Sequence, residues 1–206
     1  MNDLEATANG YRLRHPRHVA TFTAEGLQFA PRRSGLEWAW RLMLVEAGDT
    51  PLAGVAIGPV PPMRQAQGVT YPRGGLVEQY LARQGSLEQQ FALPQPLLLA
   101  GADLVIAGTF EETADGWLWR TSESSVRLGR VRVYDARGTL MPATMAVTAH
   151  ATRIVVDGAA LSRAAYPVTI DPEIGANDCR FSFMGRDTQF DADSLAVAHN
   201  PLMGTD

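Results

Sequence analysis

Hydrophobic and polar residues along this chain alternate more often than they follow a helical period. The clearest case is LEWAWRLMLVE, where Leu36, Trp38, Trp40, Leu42 and Leu44 share one parity. Period-two alternation places these five on one face of a strand over a core, with Glu37, Ala39, Arg41 and Met43 on a mostly wet face. VATFT and LQFAP, separated by AEG, predict a hairpin turning near Glu25-Gly26. VRVYDARGTLMPATMAV repeats the pattern, with its turn at Asp135 to Gly138. TRIVVDG and AYPVTIDP are two further β-branched runs bounded by turn residues. In the second of them Tyr166, Val168 and Ile170 share a parity and are expected to point into the core. Thirteen prolines and 19 glycines punctuate the chain, leaving runs of strand rather than helix length. The expected fold is all-β, an antiparallel β-sandwich-like domain with many short strands and little helix.

Two stretches are less decided. GGLVEQYLARQGSLEQQFAL reads as two short helices, with Ser86 and Gln89 as a capping box. It reads equally as strands, with Leu87, Gln89, Phe91 and Leu93 on one side, so periodicity leaves residues 74–93 open. Val60 to Tyr71 looks like a loop leading into the next strand. The sequence divides into an N-terminal arm at 1–16, a sandwich-like domain at 17–172 and a tail at 173–206. The tail is polar, turn-rich and weakly periodic, and too short to fold alone. No internal repeat is visible in the first 172 residues.

Composition changes this picture little. The 206 residues include 18 basic and 22 acidic ones, a net charge of −4, and every basic residue is arginine. The arginines form no stripe with aromatics, and the balance repels phosphate backbones, so no nucleic-acid partner is expected. The single cysteine, Cys179, cannot form an intramolecular disulfide. No run approaches the ~18 apolar residues of a membrane span. The first 18 residues hold no apolar segment of the kind a signal peptide carries.

The chemistry-bearing motifs are sparse. The chain has no G-x-S-x-G elbow, H-E-x-x-H helix, Walker A loop or G-x-G-x-x-G fingerprint. His15, His18, His150 and His199 lie far apart or flank a surface turn, and each reads as a satisfied or exposed histidine. Glu111, Glu112 and Asp115 cluster within EETADG, which reads as a solvated hairpin tip before it reads as a glycosidase carboxylate pair. Trp117 and Trp119 share a parity nearby; core packing is the simpler reading, and a sugar-stacking platform with Tyr80 the alternative. Asp187, Asp191 and Asp193 could offer oxygens to calcium, but DTQFDAD lacks the full alternating-aspartate pattern and reads first as turn chemistry. No catalytic, cofactor-binding or metal-binding residue, and no cofactor, is assigned from the sequence.

Several stretches, in order, carry a resemblance: HPRHVATFTAEGLQFAPR, the tryptophan strand, VTYPRGGLVEQYLARQGSLEQQFAL, VRVYDARGTLMPA, TRIVVDG and AAYPVTIDPEIGAND. Together they resemble the N-terminal β domain of large secreted bacterial proteins that carry FG-GAP or related β-propeller repeats downstream. YPVTIDP is similar to the motif closing comparable domains in Rhs-type shell proteins. The resemblance spans residues 15–180 and favours strands over helices in the undecided stretch. It implies a non-enzymatic cap or spacer in a secreted or cell-surface protein, with downstream repeats of the same polypeptide as its partner. FDADSLAVAHN is similar to the start of a first repeat that stops here at Asp206, so a truncated chain is expected. The alternatives are a lectin-like or adhesive binding sandwich and, behind it, a glycoside hydrolase.

Overall fold

A computed structural model describes residues 3–32, 37–47, 50–83, 86–96, 101–106, 111–113, 116–120, 124–148 and 151–178, with backbone alone at 47, within 101–125 and at 173–178. Its first sheet contains β1 (Asp3–Thr7), β2 (Gly10–Arg14), β3 (His18–Thr23), β4 (Gly26–Pro31), β5 (Trp38–Ala47) and β6 (Thr50–Pro51). The second contains β7 (Met63–Gln65), β8 (Gly68–Pro72), β9 (Val77–Ala82) and β10 (Ser86–Leu93). β11 (Gly101–Ile106) returns to the first, and β12 (Glu111–Thr113), β13 (Gly116–Arg120), β14 (Ser124–Gly129) and β15 (Arg132–Tyr134) to the second. β16 (Ala143–Val147) and β17 (Thr152–Val156) belong to the first sheet, β18 (Val168–Asp171) and β19 (Glu173–Asp178) to the second. One short helix, α1 (Gly158–Leu161), lies between β17 and β18, capped by the Asp157 side chain.

The strand order is β1-β2-β3-β4-β5-β11-β17-β16 in one sheet and β12-β13-β14-β19-β10-β9-β8-β7 in the other. β6 pairs with β5, and β18 lies between β10 and β15. All the pairings are antiparallel. The fold is thus all-β, as the alternation indicated. Among the described residues no helix is long and apolar enough to cross a membrane.

The sheets meet through two clusters of apolar side chains. One joins Phe22, Phe29 and Trp40 of the first sheet to Val69, Tyr80 and Leu87 of the second. Phe22 and Tyr80 meet across the gap with ring centroids 5.4 Å apart. The other joins Leu42, Val45 and Ile154 to Phe91, Leu93 and Ile170. Burial of this kind, at roughly 25 cal/mol per Å² of apolar surface, is the main drive holding two sheets face to face.

The tryptophan strand keeps its expected parity only part way. Trp38, Trp40 and Leu42 are buried, Met43 is exposed, and Val45 rather than Leu44 is the next core residue. Asp103 pairs with Leu44 while Leu104 pairs with Leu42, so Met43 faces no partner. This one-residue bulge switches the faces. Leu36 lies outside the described residues.

The β3–β4 hairpin forms where expected. Gly26 sits at φ +126°, and a Cβ there would come within 2.2 Å of the Trp40 carbonyl oxygen, which explains a glycine at that turn exit. Residues 77–82 and 86–93 are strands, and Leu87, Gln89, Phe91 and Leu93 are all buried; Ser86 opens a strand and caps no helix. Val168 and Ile170 are buried as expected, and Tyr166 is half-buried, its hydroxyl donating to the Leu161 carbonyl.

Four expectations are corrected. Residues 3–14 form the β1–β2 hairpin, with Leu13 buried and Leu4 and Tyr11 packed on the core, so they are no separate arm. Residues 173–178, assigned to the tail, are β19, paired between β10 and β14. The stretch from Val60 to Tyr71 contains a small hairpin, β7–β8, rather than a loop alone. The turn after β15 forms, with the Met141 N–H donating to the Val133 carbonyl, but β16 then crosses to the other sheet and pairs with β17.

Candidate functional site

Among the described residues, buried polar side chains gather where β8, β9 and β10 run side by side. Glu78 and Tyr80 share a parity on β9 and both point inward; Gln89 stands opposite Tyr80 on β10. Arg73 follows β8 directly. Arg73 and Glu78 are 1% and 0% exposed, a depth at which a charge needs a partner. The Arg73 Nε donates to Glu78 Oε2 at 2.7 Å, and its Nη1 donates to the carbonyls of Ala56 and Gly58. The other carboxylate oxygen, Oε1, accepts from the Tyr80 hydroxyl at 2.6 Å. Gln89 Nε2 donates to that hydroxyl at 2.8 Å. Tyr71 lies under the guanidinium, 5.5 Å from ring centroid to Cζ, and donates to the Gly26 carbonyl of the opposite sheet. Burial, reinforced by the Glu78 charge, pushes both tyrosine hydroxyls well above their ordinary range, so they serve as neutral donors.

Of this cluster Arg73 also lines a cleft of about 230 Å³, together with Glu25, Arg41, Met43, Ile57 and Pro59. Glu78 itself is sealed from the cleft, with both oxygens engaged. A carboxylate so placed does not exchange protons with a molecule in the cleft. What the arrangement does is mechanical. The chain crosses between the sheets through residues 52–62, and that crossover is stitched to the β8–β9 connection. The stitches are Ala56 N–H to the Arg73 carbonyl, Gly75 N–H to the Gly54 carbonyl, and the Arg73 guanidinium.

A second polar node is Asp135, at the turn after β15. Its carboxylate accepts from the backbone N–H groups of Arg137 and Thr139, each at 2.9 Å, and of Ala165 at 3.1 Å. The Ala165 bond, then those of Thr139 and Arg137, hold this carboxyl well below the usual carboxylate range, against the opposing effect of burial. Because the folded value lies below the unfolded one, the stability it contributes is complete above about pH 4 and is lost as pH falls through the folded value. Asp135→Ala is expected to lower the melting temperature at pH 7 and to narrow the gap to wild type in the most acidic buffers. Melting curves at pH 7 and pH 2 check this; a gap that stayed constant would show that the carboxylate is not the active group.

A third node gathers His15 and His18. His18 is 1% exposed, stacked between His15 and Phe29 with centroids 4.7 Å from each. Neither ring nitrogen of His18 has a partner among the described residues. Burial, then the charges of His15, Arg32 and Arg17, lower His18 to about 3. His15 is lowered too, chiefly by burial and then by Arg17, and its Nδ1 accepts from the Arg17 N–H.

The other residues singled out in the sequence do not join these nodes. Glu111 and Glu112 fall in β12, and Trp117 and Trp119 in β13, in a hairpin closed by Thr113 and Gly116. Their side chains lie outside the described residues, as do Asp115, His150, Cys179, Asp187, Asp191, Asp193 and His199. Tyr80 is fully buried, which removes it from any sugar-stacking platform. Among the described residues no group of three or more His, Cys, Asp or Glu side chains is arranged to hold a metal ion. Sequence reasoning passed over Arg73 and Glu78, although VEQYLA puts Glu78 on the same parity as Tyr80. An acid on the apolar side of a strand was the available signal. Neither known protein-family models nor curated protein sequences yield a match to the chain.

Proposed function

We propose that this chain is a non-enzymatic structural module, a cap or spacer in a secreted or cell-surface repeat protein. The observation that carries the reading is where the interior polar groups are spent. Arg73, Glu78, Tyr80 and Gln89 bond to one another and to the crossover carbonyls, which makes them a brace between the second sheet and the crossover that joins the sheets. The ordered resemblance of residues 15–180 to the leading β domain of such proteins supplies the context. A repeat array ends in an unpaired strand edge that invites aggregation, and an adjoining β domain removes that liability by covering it.

The test starts from the coding sequence on either side of this chain. The flanking sequence is expected to encode an export signal and downstream repeats. Those repeats, produced with and without residues 1–178, are expected to remain soluble only with the domain attached. A flank with neither feature, or repeats equally soluble alone, would overturn the proposal.

A further inference from the structure

Among the described residues, β1 and β16 end the strand path of one sheet and β12 and β7 that of the other, while the short β6 and β15 lie off these paths with one partner strand each. Four of these six carry charge: Asp3 and Glu5 on β1, Arg64 on β7, Glu111 and Glu112 on β12, and Arg132 on β15. Charges of this kind keep edges from pairing with other chains. β6 and β16 carry none; β6 is two residues long and ends in Pro51, which has no N–H to donate, whereas β16 presents the five residues ATMAV.

Its hydrogen-bond phase shows which backbone groups are unused. The Asp157 N–H donates to the Pro142 carbonyl and the Thr148 N–H to the Ala151 carbonyl, on either side of the β16–β17 ladder. With Thr144 opposite Val155 and Ala146 opposite Arg153, those two residues make the bonds to β17. Ala143, Met145 and Val147 therefore turn their N–H and C=O groups away from β17, toward an edge with no strand beyond it among the described residues. Their side chains are half-buried, packed beside the core, while Thr144 and Ala146 are exposed.

We propose that the β16 edge pairs with β16 of a second copy of this chain, antiparallel about a twofold axis through Met145. That register sets Ala143 opposite Val147 and Met145 opposite its own copy, so all six outward N–H groups and carbonyls of the two strands find partners. It brings no charge against another, and it extends the cover over Met145 and Val147. Pairing β16 with β1 of another copy would instead bring Asp3 and Glu5 to an uncharged edge, which disfavours an open filament and leaves the closed pair. Five residues a side form a small interface, so the association is concentration-dependent and weaker than that of an obligate dimer.

Sedimentation equilibrium of the full chain from roughly 10 µM to 1 mM is expected to show the mass rising from 22.3 kDa toward twice that value. Thr144→Lys/Ala146→Lys places like charges opposite each other across the twofold on an exposed face, and should abolish the rise without lowering the melting temperature. In a Cys179→Ser background, Thr144→Cys/Ala146→Cys should form a covalent dimer on mild oxidation, because these positions become a close non-hydrogen-bonded pair. Either cysteine alone should not cross-link. A monomer at every concentration, a dimer indifferent to the lysine variant, or equal cross-linking by the single variants would each overturn the proposal.

Discussion

Arg73→Met is expected to lower the unfolding free energy by about 3–5 kcal/mol, the range for removing one partner of a buried ion pair. The loss exceeds the value of the contact itself, because Glu78 stays behind as an uncompensated charge at 0% exposure. Two crossover carbonyls, of Ala56 and Gly58, also lose their donor. Arg73→Met/Glu78→Leu removes both charges and should cost less than the single change, although Tyr80 then loses its acceptor. Guanidinium unfolding of wild type, both singles and the double gives the coupling energy directly. A single-variant loss under about 1 kcal/mol would mean that water reaches the pair, and the brace would lose its support.

Acidification should act first at His18. The unfolded side chain titrates near its ordinary 6.5, whereas the folded one takes a proton only near 3. Between these values the unfolded state binds the extra proton, so the stability present above pH 6.5 declines as pH falls. The slope approaches about 1.4 kcal/mol per pH unit, or about 2–3 kcal/mol by pH 4.5. His15, shifted the same way, adds to it. His18→Phe keeps a ring between His15 and Phe29, removes two unpartnered nitrogens, and should gain about 1 kcal/mol at pH 7. Most of the pH dependence between 6.5 and 4.5 should vanish with it. Denaturant midpoints of both proteins across that range decide the matter; parallel slopes would place the proton elsewhere. Asp135 acts only at lower pH, so the two effects separate along the same titration.

The strands were legible because alternation is local. Trp38, Trp40 and Leu42 declare a buried face on their own, and so do Leu87, Phe91 and Leu93. Alternation fails where the backbone gains a residue: nothing in RLMLV shows that Met43 will face no partner across β11. It is equally silent about pairing. β5 finds β11 more than fifty residues on, and β10 finds β18 and β19 across eighty, through contacts that local pattern does not encode. The polar interior stayed hidden for a related reason. Arg73 and Glu78 look like ordinary surface charges until the crossover folds over them, and Asp135 reads as a turn residue until Ala165 arrives thirty positions later.

The order of strands also bears on how the chain is made. β1 to β5 form an unbroken run of neighbouring pairs, so half of one sheet can assemble as it leaves the ribosome. The second sheet cannot. Its middle is occupied by β18 and β19, the last strands described, wedged between β10 and the strands β14 and β15. Until residue 178 has been synthesised, β10 and β14 are separate hairpin edges facing a missing neighbour. Long-range pairing of this kind slows folding and prolongs exposure to wrong partners. A nascent chain arrested before Val168 would therefore hold every strand of one sheet and the other in three pieces, β7–β10, β12–β14 and β15, and release of β18 and β19 completes the fold.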